Sequence, residues 1–261
     1  MGNAIAAEES SIDEQNSTAM LIYSATKTSE DVYKLNTSLG SFFLRTYYLK
    51  ETTEDEDIQN IPAVHLVKAS ELDNYRKISK VKSQDKTNQT DFLLNFDELQ
   101  PDTQVSSDVS EKIIEAALAY TAEHAAVSYL ERAEHSYELL RRKLKQKGHS
   151  DSAIEKALSY AQKRNWLSDE RYAGAFLRNR SIRKAEGKTR LLAELAARGI
   201  SKEISSKAIE DFFAQKSEAS LLKRAADKFK RLGKTKEQAQ QSLIRLGFSW
   251  NDIKAYLKDN W

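Results

Sequence analysis

The sequence predicts a mainly α-helical protein in which a tandem array of three three-helix repeats, elongated and solenoid-like, follows a small β-containing N-terminal segment. Three observations predict this class. No proline follows Pro101, and Ala, Leu, Lys, Arg and Glu dominate the remaining chain, as in long helical regions. A glycine and serine pattern recurs there at spacings of 51 and 48 residues. The N-terminal part instead has two short apolar and aromatic runs separated by turn-forming residues.

The N-terminal part is expected to contain one β-hairpin within residues 31–49. Val32, Tyr33 and Leu35 precede turn-forming residues 36–40, and a second run rich in aromatic residues spans 42–49. Residues 1–20 are small, polar and acidic, which predicts disorder. The polar runs 51–60 and 83–91 predict loops. We therefore place a disordered terminus at residues 1–20 and a small acidic β-containing domain at 21–105.

The repeat is defined by three glycines, Gly148, Gly199 and Gly247. A leucine lies four residues before each glycine, a serine two residues after it, and Leu or Ile ten residues after it. This pattern predicts a helix, a glycine C-cap, a serine N-cap and a second helix, with one earlier helix completing each bundle. The predicted repeats span residues 106–167, 168–215 and 216–261. His149, Ile200 and Phe248 follow the glycines, so His149 is expected to fill a mainly apolar position.

The clearest helix signals lie in the second repeat. Ser168 is a good N-cap, and Asp169 and Glu170 follow it in the first turn, where they favour the positive end of the helix dipole. A second helix is expected to carry Lys188, Leu191, Leu192 and Leu195 on one face and to stop at Gly199. Thr189 and Thr235 are expected to be helix N-caps, the latter in a capping box with Gln238.

These two helices resemble the RecX family, the bacterial regulators of the recombinase RecA. The resemblance depends on the joint order of residues rather than on any single one: Leu167, Asp169, Arg171, Tyr172, Ala173, Phe176, Arg178 and Arg180 in the first helix, and Gly187, Arg190, Leu191, Glu194, Leu195, Arg198, Gly199 and Ile200 in the second. The family pattern covers roughly residues 115–261.

The resemblance implies the same tandem three-helix repeats and a specific function. A member of this family is expected to bind along the groove of the RecA–DNA filament and to bridge neighbouring subunits. It would then block filament extension, ATP hydrolysis, strand exchange and coprotease activity by occupancy. The RecA filament is therefore the expected partner, and DNA, single- or double-stranded, is a weaker or concurrent one.

Charge is divided unevenly along the chain. Residues 1–110 carry 10 Lys and Arg against 19 Asp and Glu, a net charge of −9, whereas residues 111–261 carry 31 against 20, a net charge of +11. Such a surplus exceeds what solubility requires and predicts an anionic partner. For any single one of these residues, the favoured interpretation is a solvated charge on a helix surface, but for the collection it is not. The candidate filament- or DNA-binding residues are Arg132, Arg141, Arg142, Lys143, Lys147, Arg171, Arg178, Arg180, Arg183, Lys188 and Arg190.

The sequence predicts neither an enzyme nor a cofactor or metal site. Gly187-Lys188-Thr189 and Gly233-Lys234-Thr235 imitate the end of a P-loop, but Ile182 and Lys228 occupy the positions of its first glycine. The four histidines are too scattered for a metal site or a general base, and there is no cysteine. Without a long apolar run or a signal-peptide core, we expect a cytoplasmic monomer with no membrane partner.

An alternative function remains open from the sequence. Three-helix units with short turns also describe helix-turn-helix modules, which place a basic helix in the major groove of DNA. The chain could therefore be an independent DNA-binding protein. Few aromatic residues are interleaved with the basic ones, which argues against stacking on single-stranded bases.

Overall fold

The structure is a computed structural model that describes residues 20–49 and 96–261 of the chain. The predicted disordered terminus lies outside the described residues except for Met20, and so do the predicted loops at 51–60 and 83–91. The chain separates into two compact units, residues 1–121 and residues 122–261.

The described part of the first unit contains a four-stranded antiparallel sheet of order β3-β2-β1-β4. The strands are β1 (Met20–Ser29), β2 (Val32–Thr37), β3 (Gly40–Arg45) and β4 (Thr103–Val105), with short 3-10 helices at Thr46–Leu49 and Phe96–Glu98. The predicted hairpin is confirmed: β2 pairs with β3 from Val32↔Arg45 to Thr37↔Gly40. Gly40 supports the tight turn with φ +123°, a value that side-chain-bearing residues rarely adopt.

Two strands of this sheet were not predicted, for different reasons. The second half of β1 is polar and exposed, so it shows no alternation in the sequence. β4 has only three residues and pairs with Met20–Ile22, far away in the chain. Both strands become recognisable only when the sheet brings distant segments together.

The helices are α1 (Ser107–Leu130), α2 (Tyr137–Gln146), α3 (Asp151–Lys163), α4 (Asp169–Arg183), α5 (Lys188–Ala196), α6 (Lys202–Gln215), α7 (Glu218–Arg231), α8 (Lys236–Arg245) and α9 (Trp250–Asn260). Residues of α1 belong to both units. The predicted class, mainly α with three-helix repeats and a small N-terminal sheet, is confirmed.

The repeat pattern read from the sequence corresponds to real helix ends. Gly148, Gly199 and Gly247 have φ of +90°, +79° and +84°, the left-handed conformation of a glycine C-cap. The serines that follow accept hydrogen bonds from backbone N–H groups of α3, α6 and α9 as N-caps. The aligned apolar residues are all buried: Leu144, Leu195, Leu243, Leu158, Ile209 and Leu257. In the slot after each glycine, Ile200 and Phe248 are buried and His149 is half-buried.

Each repeat buries its own apolar cluster. Leu140, Leu144, Ile154 and Leu158 centre the first, together with Ala125, Ala126, Ala161 and Leu167. Ala173, Leu177, Leu191, Leu195, Ile200 and Ile209 form the second. Leu221, Leu222, Ala225, Ala226, Leu243, Phe248, Ile253 and Leu257 form the third. Phe212 and Phe213 of α6 pack against both the second and the third cluster, so these repeats share apolar surface.

The start of α5 differs from the prediction. Its N-cap is Gly187 and not Thr189, which lies inside the helix. Gly187 donates its N–H to the carbonyl of Leu246 at 2.9 Å, and a Cβ there would lie 2.3 Å from the carbonyl oxygen of Gly247. Only glycine tolerates so close a backbone approach. The prediction for Thr235 is confirmed, because it forms the capping box with Gln238.

The middle helices of successive repeats meet end to end. Ser136, the N-cap of α2, donates its hydroxyl to the carbonyl of Arg198 at 2.7 Å, beyond the end of α5. Gly199 lies against Glu138, and Gly247 lies against Arg190. The start of α2 thus meets the end of α5, and the start of α5 meets the end of α8. Opposite dipole ends are adjacent at both junctions, which is favourable.

Candidate partner-binding surface

The candidate basic residues differ in what they contact in the structure. In the part of the chain that the structure describes, some form ion pairs with acidic side chains, two pack on an aromatic ring, and three are exposed without an acidic partner. This distinction matters because a paired cation has its charge largely neutralised before any partner arrives.

Arg180 and Arg190 belong to an ionic network between α4 and α5. Arg180 contacts Glu186 (Nη2···Oε1, 3.0 Å) and Glu194 (Nη2···Oε1, 2.9 Å). Arg190 and Arg198 contact the same Glu194, each at 2.8 Å. The side chains of Arg180 and Glu186 are only 13% and 4% exposed. Arg180 therefore serves first to join α4 to α5.

The network sets the ionisation of its central acid. Burial acts to raise the pKa of Glu194, but the hydrogen bond from Arg198 and the charges of Arg180 and Arg190 outweigh it, so the pKa lies below its usual value. The hydrogen bond to Glu186 raises the pKa of Arg180. Glu194 and Arg180 are therefore both charged at neutral pH.

The same arginines hold an aromatic ring. The guanidinium carbon of Arg198 lies 4.3 Å from the ring centroid of Phe176, and that of Arg180 lies 5.4 Å from it. Tyr172 lies one turn earlier on α4, nearly parallel to Phe176 at 6.2 Å between ring centroids. Cation–π contacts of this kind fix the position of a ring that is otherwise half-exposed.

Arg171 ties the second repeat to the first. Its guanidinium donates to Glu134 at 2.9 Å, to Asn165 at 2.7 Å and to the carbonyl of Trp166 at 2.9 Å. Asp169 strengthens this junction by accepting a hydrogen bond from the N–H of Tyr137 at 2.8 Å, in the first turn of α2. Both residues belong to the motif that resembles the family, and both have a structural role.

Most of the other paired cations are more exposed. Arg142 contacts Glu138 at 2.8 Å, and Arg141 contacts Glu138 at 3.2 Å and Asp151 at 3.6 Å. Lys188 lies 3.9 Å from Glu218. Pairs this exposed contribute little to stability.

Lys143 and Lys147 pack on one ring at the end of α1. Their ammonium groups lie 4.6 and 4.9 Å from the ring centroid of Tyr129. Lys143 also lies 2.7 Å from Nε2 of His135, whose Nδ1 lies 2.8 Å from the carbonyl oxygen of Ala133. With the ring proton on Nδ1, His135 donates to that carbonyl and accepts from Lys143.

Three of the candidate residues remain available to a partner. Arg132, Arg178 and Arg183 are exposed, and no acidic side chain within residues 20–49 and 96–261 contacts them. Arg132 lies after α1, and Arg178 and Arg183 lie on α4. Nothing in the sequence separates them from Arg180, because pairing depends on how α4 packs against α5.

The structure also brings together residues that the charge pattern did not single out. Tyr172, Phe176 and Ile182 line an open groove with Arg183 and Lys184. The aromatic residues lie next to basic ones only in three dimensions, since α4 places residues three or four positions apart on one face. The sequence argument that few aromatic residues lie among basic ones therefore does not describe this surface. Ile182 is 74% exposed although it is apolar, a mismatch that only the structure reveals.

No helix in either described segment is long and apolar enough to cross a membrane. No cluster of acidic and histidine side chains in these segments is placed to hold a metal ion. These are observations on the described residues only.

Comparison with known proteins identifies the family. Residues 122–160 match the family model described as "RecX, first three-helix domain", and residues 168–209 match "RecX, second three-helix domain". "Regulatory protein RecX" of Treponema pallidum (strain Nichols) is 34% identical over 134 residues, which is 51% of this chain and 82% of the relative. "Regulatory protein RecX" of Neisseria meningitidis serogroup B (strain ATCC BAA-335 / MC58) is 34% identical over 139 residues, 52% of this chain and 88% of the relative.

A solved structure agrees with the fold. A crystal structure of regulatory protein RecX aligns with a TM-score of 0.60 at 16% identity and covers 92% of this chain and 100% of its own. At that identity the likeness concerns the fold alone. The two matched three-helix domains and the relatives lead to one conclusion. The chain belongs to the RecX family of regulatory proteins.

Proposed function

We propose that this protein modulates the RecA recombinase, mainly by inhibition. It binds along the groove of the RecA–DNA filament and blocks filament extension, and with it ATP hydrolysis, strand exchange and coprotease activity. Family membership supports the regulatory role. The observation that carries the proposal is a set of exposed cations without an acidic partner among the described residues, Arg132, Arg178 and Arg183, held on repeats joined by direct hydrogen bonds.

The mechanism is occupancy rather than chemistry. A filament groove is lined by repeating subunits, and a protein that contacts two of them at once holds their relative position. The junctions at Ser136 and Gly187 fix one repeat against the next, so binding costs little ordering of the chain. The surplus of 11 positive charges in residues 111–261 favours approach to a filament that contains DNA.

The direct test is DNA-dependent ATP hydrolysis by the cognate RecA while this protein is titrated. We expect hydrolysis to fall as the protein approaches a fixed ratio to RecA in the filament. The same titration against an unrelated DNA-dependent ATPase controls for simple sequestration of DNA. The absence of any effect on RecA at every ratio, or an equal effect on both ATPases, would contradict the proposal.

The alternative, an independent duplex-binding protein of the helix-turn-helix type, has a specific observation against it. The helix that would enter the major groove is the one after each glycine turn, namely α3, α6 or α9. Asp151, Glu203 and Asp252 lie in the first turns of these helices. An acidic group there repels phosphate, so we treat direct DNA binding as secondary.

A further inference from the structure

One groove lies open at the surface of the second unit. It lies between the segment Ala133–Glu134, before α2, and one face of α4, and it encloses about 810 Å³. Tyr172, Ala175, Phe176, Asn179, Ile182 and Arg183 of α4 line it. Their spacing of three and four residues makes a continuous stripe along the helix.

The floor of this groove is apolar and the exposure of one residue is unusual. Ile182 is 74% exposed, more than any other large apolar side chain in the described segments. A single exposed apolar residue is ordinary. Here, however, it shares the groove with Tyr172 and Phe176, and the small side chain of Ala175 lies between them in the sequence. Rows of side chains at three- and four-residue spacing form the ridges and grooves into which a second helix packs.

The rim of the groove is basic. Arg183 and Lys184 are exposed and have no acidic partner within the described residues. The one acidic lining residue, Glu134, is already engaged by Arg171 at 2.9 Å. Arg180 also lines the groove, but its charge is committed to Glu186 and Glu194.

The opposite flank of α4 provides a contrast. The groove between α4 and α6 encloses about 560 Å³, and its lining holds three acidic and two basic side chains. Glu170, Glu203 and Asp211 line it together with Arg178 and Lys207. An excess of basic over acidic lining residues is therefore a property of the Ile182 side of the helix.

The floor is also held in place before a partner arrives. Phe176 is packed by Arg198 and Arg180, and Glu194 contacts both arginines. A ring held by charged groups that are themselves paired loses little freedom on binding.

We propose that this groove is the docking site for an acidic amphipathic helix of the partner protein. Its apolar side chains pack on Phe176 and Ile182, and its carboxylates pair with Arg183 and Lys184. This inference rests on the proposed function, since it assigns the RecA-binding surface and the chemistry of the segment that it takes.

The test uses the whole protein and two variants, Ile182→Asp and Arg183→Glu, each of which places an acid in the groove. The matched control is Ile244→Asp, because Ile244 of α8 is 46% exposed and does not line the groove. Affinity is measured for DNA-free cognate RecA and, separately, for a fluorescent single-stranded oligonucleotide of thymidines. Circular dichroism checks that each variant is folded.

Each groove variant is expected to bind RecA at least about tenfold more weakly, because like charges meet at the interface. Ile244→Asp is expected to bind RecA normally, and Ile182→Asp is expected to keep its affinity for the oligonucleotide. Loss of oligonucleotide binding with RecA binding intact would assign the groove to nucleic acid and overturn the proposal. Equal behaviour of Ile182→Asp and Ile244→Asp would also overturn it.

A second measurement identifies the occupant directly. A photocrosslinking residue at position 179 is expected to label a segment of RecA with acidic residues and helical apolar spacing, and labelling of a basic or non-helical segment would refute the assignment. If the unmodified protein neither binds nor inhibits RecA, the proposed function itself fails. If it inhibits RecA and Ile182→Asp inhibits equally well, only the groove assignment fails.

Discussion

At the scale of single residues, Glu194 shows how the fold assigns different roles to similar charges. It contacts Arg180, Arg190 and Arg198, which come from α4, from α5 and from the turn after it. Its side chain is 16% exposed, so the three guanidinium groups are its main source of stabilisation. Arg183, three residues beyond Arg180, has no such partner among the described residues.

This network predicts a specific dependence of stability on pH. The folded pKa of Glu194 is lower than its usual 4.5. Its contribution to stability is therefore fully present above pH 4.5 and is lost as the pH falls through the lower folded value. We expect Glu194→Gln to melt below the unmodified protein at pH 7, and the difference to be smaller at an acidic pH below 4.5.

Thermal unfolding followed by circular dichroism at both pH values measures this difference. Other carboxylates also titrate over this range, but they are common to both proteins and cancel in the comparison. Equal melting temperatures at pH 7, or a difference that is not smaller in acid, would show that the network does not stabilise the fold.

Some of these features could be predicted from the sequence. The basic residues were identified as a group from composition, and the acids that pair with them were visible in the sequence. Arg180 and Arg183 nevertheless look alike there, because the approach of Glu186 and Glu194 depends on the turn between α4 and α5. Ion pairing depends on the tertiary structure. The sequence therefore identified the candidate cations but not which of them are paired.

At the scale of helices, the end-to-end junctions are the feature that the repeats share. Gly199 and Gly148 both have positive φ, +79° and +90°. A Cβ at Gly199 would lie 2.4 Å from Cβ of Glu138, whereas a Cβ at Gly148 would meet nothing within 4 Å. A substitution at Gly148 therefore tests backbone strain alone, whereas a substitution at Gly199 tests that strain together with a collision between repeats.

We expect Gly148→Ala to lower the free energy of unfolding by about 1–2 kcal/mol, the strain of a left-handed residue with a side chain. Gly199→Ala should carry the same strain and also push α5 away from α2, so its loss should be clearly larger. Chemical denaturation of the two variants measures both values. Equal losses of unfolding free energy would mean that the junction accommodates the added methyl group and that the repeats are not held together there.

Helix boundaries were the best predicted elements because their signals are local. Ser168, Thr235 and the three capping glycines each act within one turn, and the structure confirms them. Thr189 failed as a cap because the deciding contact, Gly187 with Gly247, comes from the next repeat. The strands β1 and β4 were missed for the same physical reason, since their pairing is between distant parts of the chain.

At the scale of the whole molecule, the chain combines an acidic N-terminal part with a basic array of helical repeats. Each repeat has its own apolar cluster, and the shared contacts of Phe212 and Phe213 join the second cluster to the third. The family, the repeats and the sign of the net charge of each part could all be predicted from the sequence. The groove beside Ile182 was not, because it is formed by α4 together with a segment of the preceding repeat.

The central claim is that the exposed cations without an acidic partner in the described segments bind the RecA filament, and that the cations paired with acidic side chains do not. It is tested most directly by two triple variants with the same change in net charge. One replaces Arg132, Arg178 and Arg183 with glutamine, and the other replaces the paired Arg141, Arg142 and Lys188, which are half-buried or exposed, with glutamine. The measurement is the concentration that half-inhibits DNA-dependent ATP hydrolysis by RecA. We expect at least about a tenfold rise for the first variant and less than about a twofold change for the second. Equal shifts would show that total charge alone matters, and a larger shift for the paired set would contradict the account.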